Sequence, residues 1–596
     1  MSDEELHLLT SPIERRLVSR LFVIGGPIGL AIAIVLSLWV SQQRVTHAVI
    51  VQTEPRWIPG ETLALRVQVT PESPKTPGPT KVEVAVEQGG QRHPLPPPAE
   101  VEPGWLVQGR VTVPALEPGP AVLHVHVEAE PFELRDERIP IEVVERREVI
   151  EPQHVVSSSA SQYADDSDAQ PEGIAIDVRP VGRVLAGFEN ELLLRVTDAV
   201  GKPWSGPAAI HVLDGEMAGQ RGRSAEPPLL WEGRTDAAGL ASVRGLLSSE
   251  VLRLRVQLRA EGEPKTAGEP KAAGEPKAAG EPKAAGEPKA AGEPEAAGEP
   301  KAAAQTPSPR VLHERTIRLV SFAGAVQLEA TPLQVPSGGA LEVLAAGLSA
   351  KRPVFVDVFG PDGAWIDTFD PPVKGRELPR AWGVPATLSG LVQLEAYHFT
   401  NEPGESTAVA RVLAHASDPA DVASLRPGIE IQHGRLSVPR ADRTWDEDRE
   451  RGYLAWLGKA TLSATEVELA RRWVLGTLPI EVHGPPTLLR SRERDLAAMA
   501  AYKRSWAIGL RIFLLGGGAL FLAAMTMLMI RSHDRDATAT LEELQGLSEG
   551  VEREQLEAHV QAARRAALLR GLLVVGMMAV GLLSATLLLE NLVWEF

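Results

Sequence analysis

The sequence Val49-Ile-Val-Gln-Thr-Glu-Pro55, then Pro59-Gly60, then Leu63-Ala-Leu-Arg-Val-Gln-Val69 decides the fold. Apolar and polar residues alternate in the last run, which is typical of a half-buried β-strand. Pro55 cannot donate to a β-ladder and therefore ends the first strand, and the Gly-bearing segment predicts a turn. The stretch thus predicts two strands that open a β-domain.

The same opening pattern occurs twice more along the chain. It returns as Ile174 to Pro180 with Leu192 to Val196, and as Val326 to Pro332 with Leu341 to Val343. Internal repetition on this scale predicts tandem domains of one fold, and short alternating strands favour antiparallel β-sandwiches.

A closing pattern of two alternating runs also occurs three times, and each copy predicts a final hairpin. The three copies are Val122 to Ala129 with Glu137 to Val143, Val251 to Leu258 with Glu314 to Leu319, and Leu391 to Ala396 with Thr407 to Val412. We therefore predict β-sandwiches at 45–150, 173–321 and 324–416, with 151–172 as a linker.

Three short motifs carry a family resemblance: Glu54 to Thr62, Val196 to Pro203 and Thr235 to Ala241. They resemble macroglobulin-like and related bacterial immunoglobulin-like domains. The resemblance implies the β-sandwich fold. Protease-trapping members of that family carry a Cys–Gln thioester, and this chain has no cysteine, so the resemblance implies no such chemistry and transfers no functional residue.

Residues 262–303 repeat Gly-Glu-Pro-Lys-Ala-Ala, and proline at every sixth position blocks continuous helix and strand. The repeat lies between the two runs of the second closing hairpin. A longer loop adds little closure entropy, so a neutral loop expansion is the first interpretation and a functional spacer is the alternative.

Three apolar segments, 21–40, 506–530 and 568–589, are long enough to cross a bilayer as helices. The first contains no charged residue, and a cleaved signal peptide is its alternative interpretation. Small residues at Gly25, Gly29 and Ala33 and at Gly581 and Ala585 form stripes that favour close helix packing, and chance in Gly- and Ala-rich, lipid-facing helices is the alternative. Gly516 to Gly518 lie inside a span, where they serve helix packing.

Orientation is predicted from the flanking basic residues. Arginines precede the first and third segments, which places residues 1–20 and 531–567 in the cytoplasm. The second segment favours the opposite orientation, because it follows Arg490, Arg492, Arg494, Lys503 and Arg504. We give this opposite orientation less weight, because the orientations of the first and third segments force the second segment to run into the cytoplasm. We therefore predict a multi-pass protein of a bacterial inner membrane with a large periplasmic region, and with Trp39, Trp506 and Trp594 at the outer surface.

Residues 417–505 predict a small helical juxtamembrane region. Asp442 to Leu457 and Glu466 to Leu478 have helical patterns, and Ser463 with Glu466 forms a capping box. A further helix is expected from Leu488 to Tyr502, continuous with the second span. Trp445, Trp456 and Trp473 are expected to pack a helical core, with a partner groove as the alternative.

The cytoplasmic loop 531–567 predicts an amphipathic helix, with Leu541, Leu544 and Leu547 at helical spacing and a cap at Thr540. Such a helix lies on the bilayer or pairs with its own spans, or it binds a partner.

No motif in the sequence predicts catalytic, cofactor-binding or metal-ligating residues. His124 and His126 share a strand face but lack a third ligand, and Asp357, Asp362, Asp367 and Asp370 do not have the spacing of a calcium loop. Glu447 and Glu450, near Arg449 and Arg451, are explained by a solvated helix face. The net charge of −17 argues against nucleic-acid binding.

The fold class is therefore mainly β, with tandem sandwiches, three transmembrane helices and a small helical region. The first functional hypothesis is an envelope scaffold or protein-interaction protein with a periplasmic arm, without enzyme activity and without a cofactor. Its partners would be the membrane and other envelope proteins. The alternatives are an accessory subunit of a transporter or secretion complex and, third, a wall- or protein-directed hydrolase, which an unexplained cluster of titratable residues in 417–505 would favour.

Overall fold

A computed structural model describes most of the chain. The described residues are 12–72, 80–96, 98–101, 105–132, 134–156, 173–218, 227–260, 310–321, 326–347, 354–369, 380–398, 407–436, 447–478, 480–547 and 553–593. The predicted repeat 262–303, Trp445, Asp370 and Trp594 lie outside these residues.

Helix α1 (Pro12–Gln42) precedes the first group of strands. These strands are β1 (His47–Thr53), β2 (Arg56–Trp57), β3 (Thr62–Pro71), β4 (Thr80–Gln88), β5 (Gln91–Leu95), β6 (Ala99–Val101), β7 (Leu106–Thr112), β8 (Gly119–Ala129) and β9 (Arg135–Val143), followed by β10 (His154–Val156).

The second and third groups of strands follow. The second comprises β11 (Ile174–Pro180), β12 (Glu189–Asp198), β13 (Pro207–Asp214), β14 (Leu229–Arg234), β15 (Leu240–Leu246), β16 (Val251–Arg259) and β17 (Val311–Val320). The third comprises β18 (Val326–Thr331), β19 (Gln334–Val335), β20 (Ala340–Gly347), β21 (Phe355–Phe359), β22 (Trp365–Phe369), β23 (Arg380–Gly383), β24 (Gly390–Tyr397) and β25 (Ala408–Ala414).

Helices dominate the remainder of the chain. After a 3₁₀ turn at Val422–Leu425 come α2 (Arg426–Leu436), α3 (Glu447–Leu457), α4 (Ala464–Gly476), β26 (Ile480–Val482), β27 (Thr487–Arg490), α5 (Ser491–Arg511), a π-helical segment (Ile512–Gly517), α6 (Gly518–Leu547) and α7 (Arg553–Val593).

Each group of strands forms a pair of sheets around its own apolar core, and we call the three pairs sandwiches 1, 2 and 3. The predicted opening strands are confirmed as β1 and β3, β11 and β12, and β18 and β20, and the two strands of each copy pair with each other. The predicted closing hairpins are confirmed as β8–β9, β16–β17 and β24–β25. Period-2 alternation therefore predicted these strands and the three hairpins correctly.

Sandwiches 1 and 3 stack through the outer faces of two of their sheets. Strands β1, β21 and β22 are buried at every residue, which a half-exposed strand never is. Apolar contacts join the faces, with Ala64 against Phe359 and Trp365, and Leu106 against Phe355 and Tyr397. These inner strands are therefore covered on both sides.

Helices α2, α3 and α4 cover the outer face of sheet β11-β12-β15 of sandwich 2. Leu193 and Leu240 share a buried cluster with Tyr453, Leu454 and Trp473 of the helices. The approach is close at two glycines. A Cβ on Gly452 would lie 2.1 Å from the Val200 carbonyl oxygen, and one on Gly201 would lie 2.2 Å from the Arg449 carbonyl oxygen.

The region 417–505 differs from the prediction in three ways. Helix α2 was missed, β26 lies between two of the expected helices, and β27 contains residues 488–490 of the third expected helix, which begins only at Ser491. Strand β27 adds to sandwich 1 beside β1, and β26 pairs with β10 at the start of the predicted linker. The capping box at Ser463 and Glu466 is confirmed at the start of α4. Strands too short for a periodic pattern, with partners far away in sequence, carry no local signal.

Two helices of the described chain are long and apolar enough to cross a membrane, at Ser491–Leu528 and Val560–Leu587. Of the first predicted segment, Ile28–Gln42 qualifies only as a shorter apolar helix, so the structure supports two spans by length and composition where the sequence predicts three. Helix α6 runs unbroken through Thr540 to Leu547, so the predicted cap at Thr540 is wrong, and the helix continues straight from the span.

Small residues contribute to packing among the apolar helices at two of the predicted positions. Ala33 is buried against Leu510 and Leu514, and a Cβ on Gly518 would meet Leu582 at 2.0 Å. Gly29 and Gly581 face open space, so the predicted stripes are only partly used.

Pairing of β27 with β1 predicts a disulfide when Gln52→Cys is combined with Thr487→Cys. These residues are register partners, and the Gln52 side chain donates to Thr487 Oγ1 at 3.2 Å. Paired Cα atoms about 4.5–5.5 Å apart match disulfide geometry. Non-reducing electrophoresis after proteolysis between the two sites should show linked fragments. The chain has no native cysteine, so no other disulfide competes with the engineered one. The control combines Gln52→Cys with Val200→Cys, and linkage in that control alone would contradict the pairing.

Candidate functional site: buried charge clusters and the cleft between modules

The interface between sandwiches 1 and 3 is centred on Arg66 of β3, whose side chain is fully buried. Its guanidinium donates to Asp357 of β21 at 2.6 Å and to Thr368 of β22 at 2.7 Å. It also donates to Gln108 at 2.8 Å and to the Tyr397 hydroxyl at 3.0 Å. A buried guanidinium requires this complete set of acceptors, because an unneutralised charge there would be strongly destabilising.

Two more arginines of sandwich 1 bind aspartates of sandwich 3. Arg110 forms an ion pair with Asp367, which also accepts from the Trp382 indole at 2.6 Å. Arg147 binds Asp362 at 3.1 Å and its own neighbour Glu61 at 2.6 Å. Three of the four aspartates considered as a calcium loop, Asp357, Asp362 and Asp367, are thus each paired with a different arginine.

Two carboxylates fix backbone segments at the same interface. Glu54 accepts from the Trp365 amide at 2.7 Å. Glu395 accepts from the amides of His483 at 2.6 Å and Gly484 at 3.2 Å, just after β26. Burial raises the pKa of each carboxyl group from 4.5 to about 7. Both groups therefore connect sandwich 3 to other parts of the chain and titrate near neutrality.

A second cluster lies between sandwich 2 and the helices. Arg195 of β12 binds both Asp177 and Glu450 at 2.8 Å, and Arg179 binds Glu450 at 3.3 Å. The Arg195 guanidinium lies 4.5 Å from the Trp473 ring centroid and 4.8 Å from that of Tyr453. The arrangement combines ion pairs with cation–π contacts in a site sealed from water.

This second cluster corrects the prediction for Glu450, which is 3 % exposed instead of lying on a solvated helix face. Glu447, one helical turn earlier, does pair with Arg451 near the surface at 3.6 Å. Burial alone would raise the pKa of Glu450 and of Asp177, but Arg195 and Arg179 outweigh it and hold both pKa values below their usual range. A carboxylate held ionised and enclosed suits structural pairing rather than proton transfer.

The two candidate histidines lie beside different carboxylates on the outer face of sandwich 1. His124 lies 2.8 Å from Glu87, and His126 lies 2.5 Å from Asp136. Within the described ranges, no group of three His, Asp or Glu side chains is arranged to hold a metal.

A cleft of about 120 Å³ opens where sandwich 2, sandwich 3 and α4 meet. Glu191 lies in one wall and accepts from Arg244 at 2.8 Å and from Arg472 at 3.0 Å. Residues 327–331 of β18 form the opposite wall, and Arg183 and Arg411 also line the cleft. Sequence reasoning missed this site because its walls come from three modules.

Comparisons with known proteins identify no family. No protein-family model and no curated protein matches the chain. Among solved structures, a tetra-tandem repeat from the extending region of a large adhesion protein is 10 % identical, covering 62 % of this chain and 75 % of that one, with a TM-score of 0.13. Dimeric latent PorU from Porphyromonas gingivalis is 12 % identical, covering 62 % of this chain and 34 % of its own, with a TM-score of 0.19. At these TM-scores neither likeness carries an argument.

The buried cluster predicts a large difference between two substitutions on α3. Glu450→Gln leaves Arg195 and Arg179 without their shared carboxylate and should destabilise sandwich 2 with its helices by about 3–5 kcal/mol. Glu447→Gln, the matched control, removes only a surface pair worth about 0–1 kcal/mol. Urea unfolding followed by tryptophan fluorescence measures both. Equal effects would contradict a buried ion-pair role for Glu450.

The raised pKa values of Glu54 and Glu395 predict that stability falls as pH rises from about 4.5 to about 7. The folded state holds protons there that the unfolded state has released, so raising the pH favours unfolding. Asp177 and Glu450, with lowered pKa values, lose their contribution only at lower pH. Thermal unfolding midpoints across this range should decline in the wild-type chain. The decline should be smaller in Glu395→Gln, and an unchanged slope would contradict the assignment.

Proposed function

We propose that this chain is a membrane-anchored scaffold of a bacterial envelope, whose ectodomain presents a protein-binding surface at a fixed position over the bilayer. Its sandwiches and helices would act as one body. Arginine–carboxylate clusters join sandwich 1 to sandwich 3 and sandwich 2 to the helices, and Arg411 of sandwich 3 donates to the Leu478 carbonyl just after α4 at 3.2 Å. A body with fixed internal geometry is what a scaffold needs to hold partners in defined positions.

The observation that carries the proposal is the direct connection of the ectodomain to its membrane helix. Strand β27 runs into α5 without an intervening loop, and the Val49 amide of β1 donates to Ser491 Oγ at 2.9 Å. Arg492 binds Glu72 at 2.5 Å, and Arg494 binds Glu137 at 2.6 Å, so the first turn of α5 is held against sandwich 1.

The same contacts support the predicted orientation. Arg492 and Arg494 are among the basic residues before the second apolar segment that favour the opposite orientation. Both are paired with carboxylates of sandwich 1. The aromatic residues support the same orientation, because Trp39 of α1 and Trp506 of α5 are both exposed. The ends of the two helices lie together, since Lys503 of α5 donates to the Ser41 carbonyl of α1 at 3.1 Å. We therefore propose that α1 crosses the membrane in addition to the two long apolar helices. Residues 531–567 would then be cytoplasmic in an inner-membrane protein.

One observation favours a second candidate, an accessory subunit of a transport or secretion complex. Helices α6 and α7 extend beyond their apolar parts and pair with each other there, with an ion pair between Asp534 and Arg564. At about 1.5 Å per residue, a paired extension of this kind projects by some tens of ångströms. A projecting hairpin would suit a cytoplasmic partner.

Single cysteines test the orientation in the cysteine-free chain. Val200→Cys on an exposed turn of sandwich 2 should react with a membrane-impermeant maleimide in spheroplasts, because the ectodomain is outside the cytoplasm. Ala558→Cys on α7 should react only after lysis. Carbonate should leave the protein in the membrane. The reverse labelling pattern would contradict the proposed topology.

The scaffold role itself predicts that partner binding depends on the rigid connection. Six Gly/Ser residues inserted between Arg490 and Ser491 should reduce partners recovered after crosslinking in cells, because sandwich 1 is then no longer held in a fixed orientation by α5. The same insertion at the exposed hairpin tip between Gly89 and Gly90 is the control. Recovery of identical partners from both variants would contradict the role of fixed orientation.

A further inference from the structure

The ends of α1 and α5 that adjoin the ectodomain carry basic side chains and no acidic ones. Arg44 follows the last turn of α1, and Lys503 and Arg504 lie on α5 just before its apolar part. The sequence contains no Asp or Glu at positions 21–53 or 496–533. In a chain of net charge −17, these two ends therefore form a local concentration of positive charge, which we call the basic patch.

The ectodomain does not neutralise the basic patch with its own carboxylates. Among the described residues, neither Arg44 nor Arg504 forms an ion pair, and both are exposed. The Lys503 ammonium donates to the Ser41 carbonyl. Asp495, the nearest acidic residue along α5, lies eight residues before Lys503, about 12 Å along the helix axis, and is paired with an arginine of sandwich 1. The positive charge of the patch is therefore available to a ligand.

Helices α1 and α5 run antiparallel, which brings the members of the patch to one level. Ala33 of α1 packs against Leu510 of α5, and the Lys503 side chain reaches Ser41. Arg44 is three residues beyond Ser41, a distance of at most about 11 Å along the chain. The three cations therefore lie in one layer at the boundary between the ectodomain and the apolar helices.

Aromatic and apolar side chains are exposed directly beside this layer. Trp39 is 52 % exposed and Trp506 is 36 % exposed, and Trp506 lies about 3 Å along the axis from Arg504. Ile508, which is 49 % exposed, follows Arg504 by four residues and so lies on the same helix face. Tryptophan is enriched where the hydrocarbon core of a bilayer meets its headgroups. The cations thus lie on the ectodomain side of an interfacial aromatic layer, at the level of lipid phosphates.

We infer that the basic patch binds the phosphate groups of anionic phospholipids in the leaflet next to the ectodomain, with acyl chains against Ile508. Guanidinium and ammonium groups form strong, charge-assisted hydrogen bonds with phosphate oxygens, and an anionic surface attracts basic residues beside a membrane helix. A lipid fits better than an acidic protein segment, because the same helix face is cationic at one level and apolar one turn below. The inference rests on the proposed membrane anchoring and names the lipid class that it requires.

The same binding accounts for basic residues that favour the opposite orientation of the second apolar segment. Arg492 and Arg494 are neutralised by carboxylates of sandwich 1. Lys503 and Arg504 are neutralised by lipid phosphates instead. The positive charge before this segment is thus bound on the ectodomain side of the membrane.

The first experiment titrates the detergent-solubilised full chain with phosphatidylglycerol or with phosphatidylcholine of identical acyl chains. Native mass spectrometry should show phosphatidylglycerol bound at least about tenfold more tightly. Raising the salt concentration from about 0.05 M to about 0.5 M should reduce that preference, because exposed charges are screened. Equal affinity for the two lipids would overturn the inference. Glycerol phosphate should not displace the lipid, and displacement would assign the patch to soluble phosphates and overturn it as well.

Variants then locate the site. Arg44→Gln combined with Arg504→Gln should lower the affinity for phosphatidylglycerol about tenfold and leave phosphatidylcholine binding unchanged. Neither arginine has an ion pair in the fold, so the double variant should unfold like the wild type. Arg92→Gln combined with Arg318→Gln removes the same charge from exposed strand positions of sandwiches 1 and 2 and is the control. Equal loss in both, or no loss in the first, would overturn the assignment.

Crosslinking in cells distinguishes a lipid from a protein ligand. Benzoylphenylalanine in place of Ala501, exposed three residues before Arg504 on the same face, should capture phospholipid. Capture of a protein that Arg504→Gln abolishes would assign the patch to a protein partner and overturn the lipid assignment. The lipid titration depends neither on orientation nor on cellular partners, so a failed scaffold test and a failed lipid test remain distinguishable.

Discussion

Two guanidinium groups that the fold removes from water are neutralised by carboxylates from another module. Arg66 of sandwich 1 meets Asp357 of sandwich 3, and Arg195 of sandwich 2 meets Glu450 of the helices. Replacing such pairs by apolar contacts often costs nothing, so their value does not lie in net stability. They penalise misaligned docking, since a shift of one strand residue would leave a charge buried without its partner. The interfaces therefore have one register.

The opening and closing strands of the three sandwiches were predictable because they carry a local period, and the helix cap at Ser463 was predictable because it depends on residues three apart. The stacking of the sandwiches was not predicted, although a signal existed. Leu192-Leu-Leu in β12 and Phe355-Val-Asp-Val-Phe359 in β21 place apolar residues in both phases of the strand. Runs of this kind indicate burial on both faces. They do not identify the module that covers the second face.

The burial of Glu450 shows why the candidate sites could not be predicted. Its sequence neighbourhood is charged, and such a neighbourhood usually marks a solvated helix face. Only the close approach of Gly452 to Val200 brings the helix near enough for Glu450 to reach Arg195. The same reasoning applies to β26 and β27, whose partners β10 and β1 lie hundreds of residues earlier. Long-range partners determine these features, and a local pattern contains no information about them.

The junction between β27 and α5 limits how sandwich 1 can move. A flexible linker would let sandwich 1 turn about the axis of α5, but β27 is hydrogen-bonded to β1 and continues directly as α5. Arg492 and Arg494 of α5 also bind carboxylates of sandwich 1. Rotation of sandwich 1 must therefore rotate α5, or break a ladder and two ion pairs together. Below α5 the chain stays helical through the π segment into α6, with Gly518 packed on Leu582 of α7. Since backbone hydrogen bonds run along this whole path, a rotation of sandwich 1 is carried to α6 and α7 beyond the apolar segment.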